Sequence, residues 1–168
     1  MYQARYASLM ALVIAWIVTA PLHAALSTSP DEVVIPQPGL DLLPQDVVRI
    51  VVNALADNDK PFIDAGIATT FAFASPGNKV NTGPLEKFTR MVKSQPYAVM
   101  VNHIASDFSE VVRVGDDAYQ LVALTGLDGS DVVFAFRLSR QLDGEFEGMW
   151  MTDAVWPVSN AGMPKQAL

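Results

Sequence analysis

Asp153 is the carboxylate of this chain best placed to do chemistry. It follows the apolar run Met149-Trp150-Met151, and strict alternation along a strand sets it on the same face as Met149 and Met151. A carboxyl group on an apolar sheet face has its pKa raised, because burial disfavours the charged form. Such a group serves as a general acid or base. The plainer reading of Asp153 is a solvated strand position, or a cap on a local turn with Thr152. His103 is the second candidate and the only histidine after His23. One imidazole cannot build a His-based metal site, and no ligand spacing surrounds it. As a general base it needs a hydrogen-bonded partner; otherwise it is a strand histidine partly covered by its neighbours. The serines show no G-x-S-x-G elbow, and the glycines no phosphate or dinucleotide fingerprint. There is no cysteine. That removes a thiol nucleophile, a disulfide framework, Cys-based zinc and an acylated lipoprotein anchor. The residues call for no metal and no cofactor.

A second group of residues suits binding rather than catalysis. Phe71, Phe73, Ser75 and Pro76 form a dense aromatic element. The two phenylalanines, with Trp150, are candidates for holding an apolar ligand at the lip of a pocket; as core anchors they serve by burial alone. Lys79, Lys87, Arg90 and Lys93 gather positive charge within a short stretch. They suit an acidic partner, or simply the solvated face of a helix.

These residues need elements to position them. Pro44 opens a helix, because proline's missing N–H falls where helical N–H groups are unpaired anyway. Val47, Val51 and Ala54, with Val48, Val52 and Leu55, give it a buried face, and Asp57-Asn58-Asp59-Lys60-Pro61 ends it. Residues 62–74 suggest a weaker helix, capped by Asp64 and burying Ile67, Phe71 and Ala74, with Gly66 against it. Ser75-Pro76-Gly77-Asn78 reads as a turn. A further helix starts around Pro84, with Leu85, Phe88, Met91 and Val92 as its apolar stripe, and stops at Pro96. From Ala98 the period changes to two. Runs at 98–105, 111–114, 119–127, 132–142 and 146–158 read as strands, with hairpin reversals at Asp128-Gly129 and Asp143-Gly144. Helices followed by an antiparallel meander make an α+β fold.

The N-terminus speaks to compartment. Arg5 precedes the apolar run from Leu9 to Val18, then Pro21 and the small-residue stretch ending at Ala24-Ala25. That is the layout of a secretory signal. The expected organisation is a signal peptide over 1–24, an extended tether over 25–43, one α+β domain over 44–158 and a flexible tail over 159–168. An uncleaved anchor is the rival reading of the first segment. Without Arg5, 18 acidic residues face 10 basic ones. That balance excludes nucleic acid and anionic membrane surfaces as partners, since both need a basic footprint. The expected protein is exported, periplasmic or secreted, with no membrane contact after signal cleavage. A small apolar ligand, a protein partner or a second copy in a homodimer stays open.

The segment DAGIATTFAFASPGNKVNTGPLEKFTRMV (64–92) and the segment MWMTDAV (149–155) resemble an uncharacterised family of domains of unknown function from bacteria and plant organelles. The shared pieces are FAFASP, GPLEKF and WMTDAV, and the resemblance runs from about Pro44 to Trp156. It implies a cone-like fold of the ketosteroid-isomerase and nuclear-transport-factor kind, in which N-terminal helices pack on a curved antiparallel sheet. The element order above is similar to that of the same superfamily. Catalysis there commonly pairs an acid or base with an oxyanion-stabilising tyrosine or carboxylic acid in an apolar cavity. The matching candidates in this chain are Asp153, Tyr119, Tyr97 and His103. The family supplies no activity of its own. The expectation is therefore an exported, non-catalytic binding or scaffolding domain. The alternatives are a hydratase- or isomerase-type enzyme using Asp153 as acid or base, and a protein–protein module presenting the sheet face.

Overall fold

The computed structural model describes residues 34–158. The expected signal segment, the beginning of the 25–43 segment and the 159–168 tail lie outside the described residues. Residues 34–43 carry no helix or strand; the Leu42 N–H donates to the Gly39 carbonyl at 3.3 Å and closes a turn there.

Helix α1 (Pro44–Ala56) starts on its proline and buries Val47, Val48, Val51, Val52 and Leu55. The Asp46 carboxylate accepts the Leu43 N–H at 3.0 Å and steadies the first turn. Helix α2 (Ala65–Ala72) begins differently from expectation. Asp64 stands at its N-cap position with φ 64°, but its side chain caps no helical N–H. Buried Asn58, at the end of α1, does that instead: its Oδ1 accepts the Ile67 N–H at 3.1 Å. The Asn58 amide then donates to Asp59 and Asp64. Ser75-Pro76-Gly77-Asn78 is also a correction. It opens helix α3 (Pro76–Thr82), with the Ser75 hydroxyl accepting the Asn78 N–H at 3.2 Å. Serine before proline is turn chemistry and helix-start chemistry alike. Helix α4 (Leu85–Val92) buries Phe88 and Val92. Among the described residues no helix is long and apolar enough to cross a membrane.

The strand expected from Ala98 is a 3₁₀ turn, Tyr97–Met100, followed by a loop. Its apolar residues are consecutive, so they fit either period, and the turn begins where Ser94 accepts the Tyr97 and Ala98 N–H groups. Five antiparallel strands follow: β1 (Ala105–Phe108), β2 (Val112–Val114), β3 (Asp117–Thr125), β4 (Asp131–Arg140) and β5 (Trp150–Val158). The order is β1-β3-β4-β5, with β2 pairing the far half of the β3 edge that β1 uses. Both reversals fall at the Asp-Gly pairs, but neither is a two-residue turn. Thr125 opposes Asp131, and Arg140 opposes Trp150. Only the glycines of the two pairs take positive φ. Asp128 uses its carboxylate instead, accepting from the Ser130 N–H and hydroxyl. The fold is α+β: the helices cover one sheet face. Val122, Leu124, Phe134, Phe136 and Leu138 meet the valines of α1 in one core.

One ion pair ties the helices together at the surface. Lys93, after α4, reaches Asp64 at 2.7 Å. The Lys93 hydrogen bond holds the Asp64 carboxyl below its usual range; partial burial opposes this and the Asn58 amide assists it. A depressed carboxyl pKa stabilises the fold above the unfolded-state value, and that contribution is lost as pH falls through the folded-state value. Lys93→Met is therefore expected to be less stable than wild type by under about 1 kcal/mol at neutral pH. The gap should close as pH falls below the ordinary carboxylate range. Urea melts at neutral and at acid pH measure it, and a gap unchanged in acid counts against the pair.

Candidate functional site

The two sequence elements FAFASP and WMTDAV meet in space. The Thr152 N–H donates to the Phe73 carbonyl and the Ser75 N–H to the Thr152 carbonyl, each at 2.9 Å. The Asn78 amide adds a second donor to the Thr152 carbonyl at 3.1 Å. The link between α2 and α3 thus pairs, at Ala74, with an edge of β5 that no strand covers among the described residues.

At this point β5 is irregular. Leu138 opposes Thr152, whereas Arg137 opposes Ala154, so Asp153 is an extra residue in the ladder. A bulge of this kind leaves one residue unpaired and re-aims side chains. The alternation that would put Asp153 in phase with Met151 ends there. Met151 opposes Ser139, while Asp153 borders a cavity beside Thr152.

The cavity has a volume of about 220 Å³ and lies between α1, the shorter helices and the β4–β5 pair. Val51, Leu55, Phe88, Met100 and Phe136 give it apolar walls. Its polar residues are mostly engaged already. The Thr70 hydroxyl donates to the Gly66 carbonyl, the Thr82 hydroxyl to Asn78, and the Tyr97 hydroxyl to the Val155 carbonyl. The Asn78 and Asn81 amides are turned to the Thr152 and Gly77 carbonyls. The Thr152 hydroxyl is buried out of reach of solvent and has no hydrogen-bond partner among the described residues. Among them Asp153 is the only charged residue lining the cavity, and its carboxylate lies within electrostatic reach of the exposed Arg137 guanidinium.

The structure brings Asp153 and Tyr97 to one cavity and leaves the other acid–base candidates elsewhere. Tyr119 is 38% exposed and opposes Arg137 across the β3–β4 ladder. His103 is buried, with Nδ1 2.8 Å from the Met100 carbonyl oxygen. None of the aromatic candidates lines the cavity. Phe73 is core, Phe71 tilts against Phe88 with centroids 5.2 Å apart, and Trp150 lies under the Arg113 guanidinium. The basic cluster is partly turned inward. Lys79 sits over the rings of Phe71 and Phe146 and donates to the Ala72 carbonyl at 3.0 Å. Burial pushes its pKa down, with Glu145 opposing. Lys87 caps the Asn81 carbonyl at 2.7 Å, and Lys93 holds Asp64.

Thr152, Asn78, Asn81, Thr70 and Thr82 are the site residues that sequence reasoning missed. All are small polar residues within or beside the shared elements, a pattern that does not by itself distinguish a pocket from a surface. A family model described as "Domain of unknown function (DUF4864)" matches residues 44–162. No curated protein and no solved structure matches the chain.

Proposed function

We propose that this chain, which belongs to the DUF4864 family of domains of unknown function, is an exported binding module that holds a small, largely apolar molecule. The observation that carries the reading is the cavity beside the β5 bulge, about 220 Å³ with largely apolar walls. A dry apolar cavity of about 150 Å³ already takes benzene, so a single-ring or short-chain molecule fits. Export rests on the Arg5, apolar run and Ala24-Ala25 layout of the N-terminus. The order of helices before an antiparallel meander supports a cone-like version of the α+β fold.

Native mass spectrometry of the protein purified from its own host tests the reading. The expected result is a chain cut near Ala24 carrying one small molecule that is lost on denaturation. A chain that carries no adduct under any gentle condition overturns ligand binding, and one that still begins at Met1 overturns cleavage.

One observation favours a second reading: Asp153 and Tyr97 line the same cavity. In a hydratase or isomerase Asp153 would move a proton while a phenol steadied the developing oxyanion. The Tyr97 hydroxyl already donates to the Val155 carbonyl, which leaves Asp153 alone among the four candidates. Asp153→Asn separates the readings in the host. A folded variant that reproduces the deletion phenotype supports proton transfer, whose loss costs at least about a hundredfold in rate. A mild effect supports binding.

A further inference from the structure

The two Asp-Gly pairs that reverse the sheet carry a chemical liability, and the fold treats them unequally. They are the only Asp-Gly pairs in the chain, which has no Asn-Gly pair. In such a pair the glycine nitrogen can attack the aspartate Cγ, because no side chain hinders its approach. The attack needs a free glycine N–H and a carboxyl that can turn onto it. At Asp128-Gly129 both are held. The Gly129 N–H donates to the Gly126 carbonyl at 2.9 Å. The Asp128 carboxylate accepts from the Ser130 N–H at 2.9 Å and from the Ser130 hydroxyl at 2.6 Å. The Ser130 hydroxyl, followed by the Ser130 N–H, also holds that carboxyl below its usual range, so less of the neutral acid that can lose water is present. At Asp143-Gly144 neither group is held. Both residues are exposed. Among the described residues the Gly144 N–H donates no hydrogen bond and the Asp143 carboxylate accepts none. That loop is closed by its flanks instead, with the Gly148 N–H on the Gln141 carbonyl at 2.8 Å and the Met149 N–H on the Phe146 carbonyl at 2.9 Å. Gly129 and Gly144 have nearly the same φ, 78° and 76°, so this angle does not separate the two pairs.

We propose that Asp143 is a spontaneous modification site of the folded protein, where aspartate isomerises to isoaspartate while Asp128 is spared. The Gly144 nitrogen forms a bond to Asp143 Cγ and gives up its proton, and one carboxyl oxygen leaves as water. The product is a cyclic succinimide. Water then adds to one of its two carbonyls. Opening at Cγ restores aspartate. Opening at the main-chain carbonyl leaves the chain running through Cγ, one methylene longer, with the carboxylate on Cα. The sequence consumes and returns one water and needs no other reactant. The change falls in the loop that carries Phe146, whose ring lies 5.1 Å from the Lys79 ammonium.

The test ages the protein produced from its full sequence at neutral pH, native and in urea, and locates isoaspartate by peptide mapping with electron-transfer fragmentation. In urea, where neither loop is folded, the two pairs should isomerise at similar rates. In the native protein Asp143 should outpace Asp128 by at least about tenfold, because the hydrogen bonds at Asp128 and Gly129 must break before the attack. Ser130→Ala should speed the reaction at Asp128 and leave that at Asp143 unchanged. Native Asp128 reacting as fast as Asp143 overturns the assignment. So does native protein without isoaspartate at Asp143, since folding would then protect both pairs. An unchanged rate at Asp128 in Ser130→Ala overturns the reason given for its sparing.

Discussion

Phe88→Ala should lower the unfolding free energy by about 3–5 kcal/mol, the loss typical of a truncated core aromatic. The Phe88 ring is 5% exposed, packs against Phe71 and forms part of the cavity wall. Its removal therefore enlarges a space that is already unfilled, and the neighbouring wall cannot collapse onto it without moving α4. Lys87→Ala is the matched control. Lys87 is one residue away on the exposed face, and its ammonium donates only to the Asn81 carbonyl. Its loss should stay within about 0.5 kcal/mol. Urea melts of the two variants decide the matter, and similar losses would mean that α4 presents a different face to the core.

Gly66→Ala should be comparably severe, at least about 3 kcal/mol, at the upper end for overpacking. A Cβ at Gly66 would overlap the Ala54 carbonyl oxygen, come within 2.7 Å of its carbon and 2.9 Å of the Asn58 Cα. All three are backbone atoms, so no rotamer change relieves the contact. Helices α1 and α2 would have to separate. That would break the bond from the Gly66 N–H to the Asn58 carbonyl, 2.9 Å, and the one from the Ile67 N–H to Asn58 Oδ1. Gly77→Ala is the contrast. There a Cβ would meet only the Ser75 hydroxyl oxygen at 3.9 Å, so the ordinary helix preference of alanine should stabilise α3 by about 0.5–1 kcal/mol. Thermal melts that rank the two substitutions equally would show that the close approach of α1 and α2 is not what selects glycine at 66.

The two glycines show how far local pattern reaches. Propensity counts both against a helix. In the fold Gly66 is the contact point of two helices, and Gly77 lies in the first turn of a third. The same limit applied to Asp64. Aspartate before a helix suggests a cap, yet the cap comes from Asn58, nine residues before the N–H it accepts, and Asp64 turns to Lys93.

What the chain's order of residues determined by itself is the part written in adjacent positions. The valine face of α1, the Phe88 and Val92 face of α4, the reversals at two Asp-Gly pairs and the α+β class all follow from periodicity and turn chemistry. The elements FAFASP and WMTDAV are legible too, and both fall within the 44–162 span that the family model matches. Their meeting was not. The bond from the Asn78 amide to the Thr152 carbonyl joins residues 74 apart, and the bulge that sets Asp153 beside the cavity exists only relative to the register of β4. A strand's period of two assumes an unbroken ladder, so one extra residue opposite Arg137 and Leu138 undoes the face assigned to every position before it relative to those after. Tertiary pairing alone therefore decided that Asp153 and Tyr97 share a cavity, that Tyr119 and His103 stand apart from it, and that the Thr152 hydroxyl has no partner among the described residues.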